Sequence, residues 1–167
     1  MLHNRPQQII IEAERAVVSA QRSGRTVALA YADCGTYGAL DDLCARYGVR
    51  RLPGLHCYDV FAGASRLAAL FEAEPGTYVL TDFLLRGFDR LVLAELGLDR
   101  YPQLWPDYFG HYRRLVWLAQ EPTPALAAEA DRVAGLFGLP LTRVETGTGR
   151  LEAALAVLVS EVVPWAA

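Results

Sequence analysis

The 167-residue sequence contains no lysine; all 16 of its basic residues are arginine. That absence excludes whole classes of chemistry. A P-loop needs a lysine to reach the β- and γ-phosphates, and pyridoxal enzymes and Schiff-base aldolases need its amine. Positive charge is not in excess either. The 16 arginines face 19 acidic residues, giving a net charge of −3 and a pI near 5.6. A nucleic-acid partner is therefore not expected, because such binding wants a basic face. No apolar run approaches the roughly 18 residues that a bilayer-spanning helix requires, so no membrane association is expected. The opening Met1-Leu-His-Asn-Arg-Pro6 is not followed by the apolar stretch of a secretory signal. Cysteine is sparse and odd in number: Cys34, Cys44 and Cys57. Such a count fits reduced thiols in a cytoplasm better than a disulfide framework.

What the chain does have is apolar content, 53% of its residues, in a length that suits one ordinary α/β domain spanning residues 1–167. Ile9, Ile10, Ala13, Ala16, Val17 and Ala20 recur at helical spacing between Pro6 and Gly24. Thr26–Tyr31 is a continuous apolar run, the mark of a strand buried on both faces. A short helix through Leu40, Leu43, Cys44 and Tyr47 should stop at Gly48. A weak strand at 49–52 should lead through Pro53-Gly54 to His56-Cys57 and then to one helix carrying Val60, Phe61, Ala64, Leu67, Ala68 and Phe71. Strands are expected at 77–80, 114–119 and 141–144. Helices are expected at about 83–96, from the cap Thr123 to Gly138, and from the loop 146–150 to about Val163. The segment 99–112, rich in Tyr, Trp and Phe, reads as an aromatic cover or as the wall of a planar-ligand pocket. Alternating strands and helices predict an α/β three-layer domain, with a mostly parallel sheet of about five strands and helices on both faces.

Ligands bind such sheets at the carboxyl ends of the strands. Those ends hold Asp33, Cys34, Gly35 and Thr36; then His56 and Cys57; then Thr81 and Asp82; then Gln120 and Glu121; and finally Glu145 with the loop that follows it. Cys34, His56 and Cys57 supply the sulfur and imidazole ligands that Zn²⁺ or another transition metal prefers, although no CxxC or HxxxH spacing accompanies them. The same residues also fit metal-free catalysis. Cys34 or Cys57 would be the nucleophile, with its pKa lowered at a helix N-terminus. His56 or Asp33 would be its proton-transfer partner, and Asp82 a further site carboxylate. The amides of Thr146, Gly147 and Gly149, with the Arg150 guanidinium and the hydroxyl of Thr36, could hold a small anionic ligand or cofactor; Arg86 is a further candidate cation. Cys44 is read as core, His111 as a packing residue, and His3 as part of a loose start.

Four segments point further. Leu2-His-Asn-Arg-Pro6, Tyr31-Ala-Asp-Cys-Gly-Thr36, His56-Cys-Tyr58 and Leu80-Thr-Asp-Phe83 together resemble the DUF1638 family of bacterial and archaeal proteins, over nearly the whole chain. The family brings no established activity. Some members are encoded near corrinoid-dependent methyltransferase systems. The resemblance thereby implies metal or one-carbon chemistry, as an enzyme or as a non-catalytic cofactor-binding or assembly protein with a corrinoid or methyltransferase partner. Members usually begin earlier, with a strand and a Cys-Gly segment ahead of the first motif, so the resemblance implies either a truncated start or a short member. A missing first strand would leave a sheet edge or apolar face able to drive homodimerisation.

Overall fold

The structure is a computed structural model and describes residues 5–162. The chain divides into two compact units. The first, unit 1, runs up to Val60 and resumes at Gly149; the second, unit 2, is Phe61–Thr148.

Unit 1 opens with α1 (Pro6–Arg22), whose proline occupies the first turn, where its missing N–H is no loss. Next come β1 (Ala28–Leu29), α2 (Ala39–Tyr47) and β2 (Arg50–Arg51), with β1 and β2 paired in parallel. The expected strand 26–31 thus shrinks to two ladder residues. Helix α1 packs its buried Val17 against Leu43, Cys44 and Val49, so Cys44 is a core residue. The last helix, α8 (Gly149–Val162), sets Leu158 beside Ala32, Leu52 and Val60. Helix α3 (Cys57–Ala62) crosses from unit 1 into unit 2. The helix expected through Val60 and Phe71 is two helices. Gly63, at φ 81, breaks it, and α4 (Ala64–Ala73) begins immediately after.

Unit 2 is built on β3 (Thr77–Thr81), β4 (Arg114–Ala119) and β5 (Leu141–Glu145), parallel and in that order. Its registers pair Val79 with Val116 and Trp117 with Arg143. The apolar run Leu115–Ala119 of the central strand is fully buried, as a strand covered on both faces must be. Helix α5 (Asp82–Leu85) is followed by a π-helical turn at Asp89–Ala94, where one continuous helix was expected. A single 3₁₀ turn (Pro102–Leu104) leads into α6 (Trp105–Phe109), and α7 (Pro124–Phe137) is capped by the Thr123 hydroxyl, which accepts from Leu126 N at 3.2 Å.

The class is α/β with parallel sheets, and five strands are present among the described residues, but they form a two-stranded and a three-stranded sheet, not one. The difference has a local cause. The apolar residues of 26–31 meet a partner strand of only two paired residues before Pro53, which lacks an amide hydrogen, and Gly54 end the ladder. The aromatic segment is core cover. Phe109 lies 4.7 Å, ring to ring, from both Trp105 and Phe137, and Tyr78 lies 5.0 Å from Tyr112. Tyr101 and Tyr108 stay exposed. Among the described residues no helix is long and apolar enough to cross a membrane.

Candidate functional site

The chemistry-bearing residues of unit 1 meet where the loop 33–38 runs alongside the turn 54–59. The turn is held first. Arg51 spreads its guanidinium over Asp41, at 2.6 and 2.9 Å, and donates from Nη1 to the carbonyls of Leu52 (2.7 Å) and Gly54 (3.2 Å). Asp59 Oδ2 then accepts from the amides of Leu55 (2.9 Å) and His56 (3.1 Å), closing the turn ahead of α3. Onto this frame the loop docks by two backbone bonds. The Asp33 amide donates to Gly54 O at 3.2 Å and the Cys34 amide to Leu55 O at 2.8 Å.

The loop carries unusual backbone. Cys34 has φ 48 and Tyr37 has φ 52, the two non-glycine residues with positive φ among those described. Each such residue costs about 1–2 kcal/mol relative to its ordinary conformation. The compensation is the buried Asp33 carboxylate. It accepts from the Thr36 hydroxyl, from Tyr37 N at 3.0 Å and from Gly38 N at 3.1 Å. The left-handed residues turn these amides inward into an anion-binding nest, and the chain fills the nest with its own aspartate. Burial alone would raise the Asp33 pKa. The bonds from Thr36, Gly38 and Tyr37, with the charge of Arg51 nearby, outweigh it and hold the carboxyl below its usual value. Asp33 is thus committed to shaping the loop, and Thr36 to Asp33.

This frame brings Cys34 and Cys57 together. Both are half-buried and outside any disulfide, and their side chains hydrogen-bond each other. The bond to Cys34 is the largest influence on Cys57. With burial and the negative charge of Cys34, it pushes the Cys57 thiol up, against the opposing pull of the Cys57 and Tyr58 amides. The lowering expected for a thiol at a helix start is therefore reversed at Cys57. The two sulfurs titrate as a pair, and Cys57 holds its proton more tightly than an ordinary thiol does. Cys34 itself precedes no helix directly, since α2 starts only at Ala39. Tyr31 stands in the same field. Burial first, then the charges of Cys34 and Cys57, push its phenol up to about 12. Cys44 contrasts with the pair, because burial raises it within the core and no second thiol accompanies it.

Of the other candidates, His56 shares the turn and the rest fall elsewhere. His56 is exposed, its ring 6.4 Å from that of Tyr58, and its amide serves the Asp59 cap. Among the described residues, no group of three or more His, Cys, Asp or Glu side chains is arranged to hold a metal ion.

Asp82 belongs to unit 2. There its buried carboxylate accepts from Trp117 Nε1 (2.8 Å), Gln120 N (3.3 Å) and Glu121 N (2.7 Å). Gln120 answers by accepting from the Asp82 amide at 3.0 Å, so the pair ties the carboxyl ends of β3 and β4. The amides of Thr146 and Gly147 both donate to Ala119 O, at 2.9 and 3.3 Å, and are spent on the backbone. Gly149 and Arg150 begin α8 in unit 1 and are exposed, as is Arg86. His111 is exposed with its ring against Tyr112, while His3 and the Leu2-His-Asn part of the first motif lie outside the described residues.

Sequence reasoning missed Tyr31 and Asp59. Tyr31 was legible as the residue two before Asp33 on the same strand end. Asp59 was legible as an acid four residues after Leu55, a spacing that closes a turn. Beside the thiol loop, a cavity of about 560 Å³ opens between Gly35, Thr36 and Tyr37 on one side and Arg5, Pro6 and Gln8 on the other.

No curated protein and no solved structure matches the chain. A family model does match, over residues 1–155 of the 167, and the chain accordingly belongs to DUF1638, a family of proteins of unknown function.

Proposed function

We propose that unit 1 carries a thiol-dependent catalytic site in which Cys34 is the nucleophile, Cys57 the proton donor, and a small anionic electrophile the substrate. The observation that carries this reading is the hydrogen-bonded pair of thiols. A lone thiol near neutral pH is mostly protonated, whereas a thiolate that accepts a bond from a second thiol is stabilised as the anion. In the step itself, the Cys34 sulfur gives an electron pair to an electrophilic carbonyl carbon. The carbonyl π pair moves to oxygen, and that oxygen takes the proton of Cys57. The charge passes from Cys34 to Cys57, and no further reactant is consumed. The cavity beside Gly35 and Thr36 supports the ligand class: among the described residues, Arg5 is the one cation on its wall. The strained φ at Cys34 supports a functional role for the loop, since backbone strain concentrates at working sites.

Competition between iodoacetamide and iodoacetate, read by peptide mass spectrometry, tests this. Cys34 should react at least about tenfold faster than free cysteine near neutral pH, and Cys44 should stay unlabelled. The anionic reagent should gain relative to the neutral one, and Arg5→Ala should remove that gain. Uniformly slow labelling of Cys34 and Cys57 would sink the reading. So would about one equivalent of zinc or another transition metal in the purified protein that Cys34→Ser and Cys57→Ser both abolish, for then the sulfurs serve as ligands.

A further inference from the structure

The pair can do something the nucleophile reading does not require. We propose that Cys34 and Cys57 close reversibly into an intramolecular disulfide by exchange with a small disulfide, switching the site off. The inference uses the same thiols as the proposed catalysis, but it needs only that the two sulfurs can meet.

The geometry favours closure in three ways. First, the sulfurs already share a hydrogen bond. Bond formation then asks for an approach from contact to about 2.05 Å, without a search through chain conformations. Second, the backbones that carry the two cysteines are fixed to each other by the Asp33–Gly54 and Cys34–Leu55 bonds, with Arg51 and Asp59 bracing the receiving turn. Third, both thiols are half-exposed, so a small disulfide can reach them, whereas Cys44 is buried in the core of unit 1.

The exchange balances without other reactants. The Cys34 thiolate attacks one sulfur of the small disulfide, forming a mixed disulfide and releasing a small thiolate. That thiolate takes the proton of Cys57. The Cys57 sulfur then attacks Cys34, the Cys34–Cys57 bond forms, and the second small thiolate leaves and is protonated by solvent in place of the proton first lost from Cys34. The two cysteines are oxidised by two electrons, and the small disulfide is reduced to two thiols.

The test is incubation of the full chain with oxidised glutathione, followed by intact mass and peptide mapping without reductant. Cleavage at arginine places Cys34 and Cys44 together in peptide 26–46 and Cys57 in peptide 52–66. A Cys44→Ala background therefore makes the linkage unambiguous. The expected product lacks two hydrogens, carries less than about a tenth of an equivalent of glutathione, joins those two peptides, and reopens with dithiothreitol. In Cys57→Ser, the mixed disulfide on Cys34 should instead accumulate toward one equivalent. A stable glutathione adduct on the Cys57-containing protein, or no reaction in a sample whose Cys34 labels rapidly with iodoacetamide, would overturn the switch and leave the nucleophile reading standing. A clean disulfide in protein whose Cys34 labels slowly would do the reverse.

Discussion

The two units of this chain are built to different standards of order. Unit 2 has strands of five and six residues, a central strand buried along its length, and an aromatic cluster in which Tyr78 meets Phe109, Phe109 meets Trp105, and Trp105 meets Phe137. Its buried carboxylate, Asp82, is saturated with N–H donors. Unit 1 pairs strands two residues long, bends its loop through left-handed cysteine and tyrosine, and leaves two thiols half-exposed and a cavity open to solvent. Where a scaffold is well packed, polar groups are used up in holding it. Reactive groups survive where packing is thin and strain is tolerated. The contrast explains how Asp82 and Cys34, both at strand ends in sequence, came to such different uses.

The largest effect should come from breaking the ordered side. Trp117 is 1% exposed, its indole N–H bonds Asp82, and the Arg143 guanidinium carbon lies 5.3 Å from its ring centre. Trp117→Ala should destabilise the protein by about 3–5 kcal/mol in urea unfolding, with hydrogen exchange of β3–β5 accelerated most. A loss under about 1 kcal/mol would show that unit 2 does not depend on its centre.

Much of this contrast could be read beforehand, and the unread part has a physical reason. The apolar run Leu115–Ala119 and the cap at Thr123 are local signals, and both were placed correctly. Cys34 and Cys57 were singled out from strand ends alone. What could not be read was which carboxylate would be consumed. Asp33 and Asp82 look alike as acids after apolar runs, and only the folded backbone, through the local amides of Tyr37 and Gly38 for one and the distant Trp117 and Glu121 for the other, reveals that both are saturated. The two-sheet division was hidden too. The run 26–31 is apolar throughout, and nothing in it says that its partner stops at Arg51.

An intermediate effect should come from the nest. Asp33→Asn keeps the shape but removes the charge that three donors stabilise, and should cost about 1–3 kcal/mol near neutral pH. The sign of its pH dependence follows from the direction of the shift. A carboxyl lowered in the folded state stabilises above its unfolded pKa, and that contribution fades as pH falls through the folded value. Wild-type stability should therefore decline below about pH 4, and the Asp33→Asn protein should decline less steeply over the same window. Parallel curves would mean that Asp33 does not hold the loop by its charge.

The smallest effect has the opposite sign and separates strain that serves Cys34 from strain that is merely endured. Tyr37 is 95% exposed, so its side chain contributes little burial, yet its backbone sits at φ 52. Tyr37→Gly removes the clash of a Cβ in the left-handed region, worth about 1–2 kcal/mol. It also loosens the unfolded chain, which takes back about 0.5–1 kcal/mol. The net should be a stabilisation of about 0.5–1 kcal/mol, measured as a rise in urea midpoint at unchanged slope. Because the Tyr37 amide still reaches Asp33, the loop and its thiols should keep their labelling rate. A stabilised protein with unchanged Cys34 reactivity assigns the tyrosine strain to loop geometry alone. A stabilised protein whose Cys34 slows would show that the two left-handed residues act as one unit, with relief at position 37 relaxing the thiolate out of its bond to Cys57.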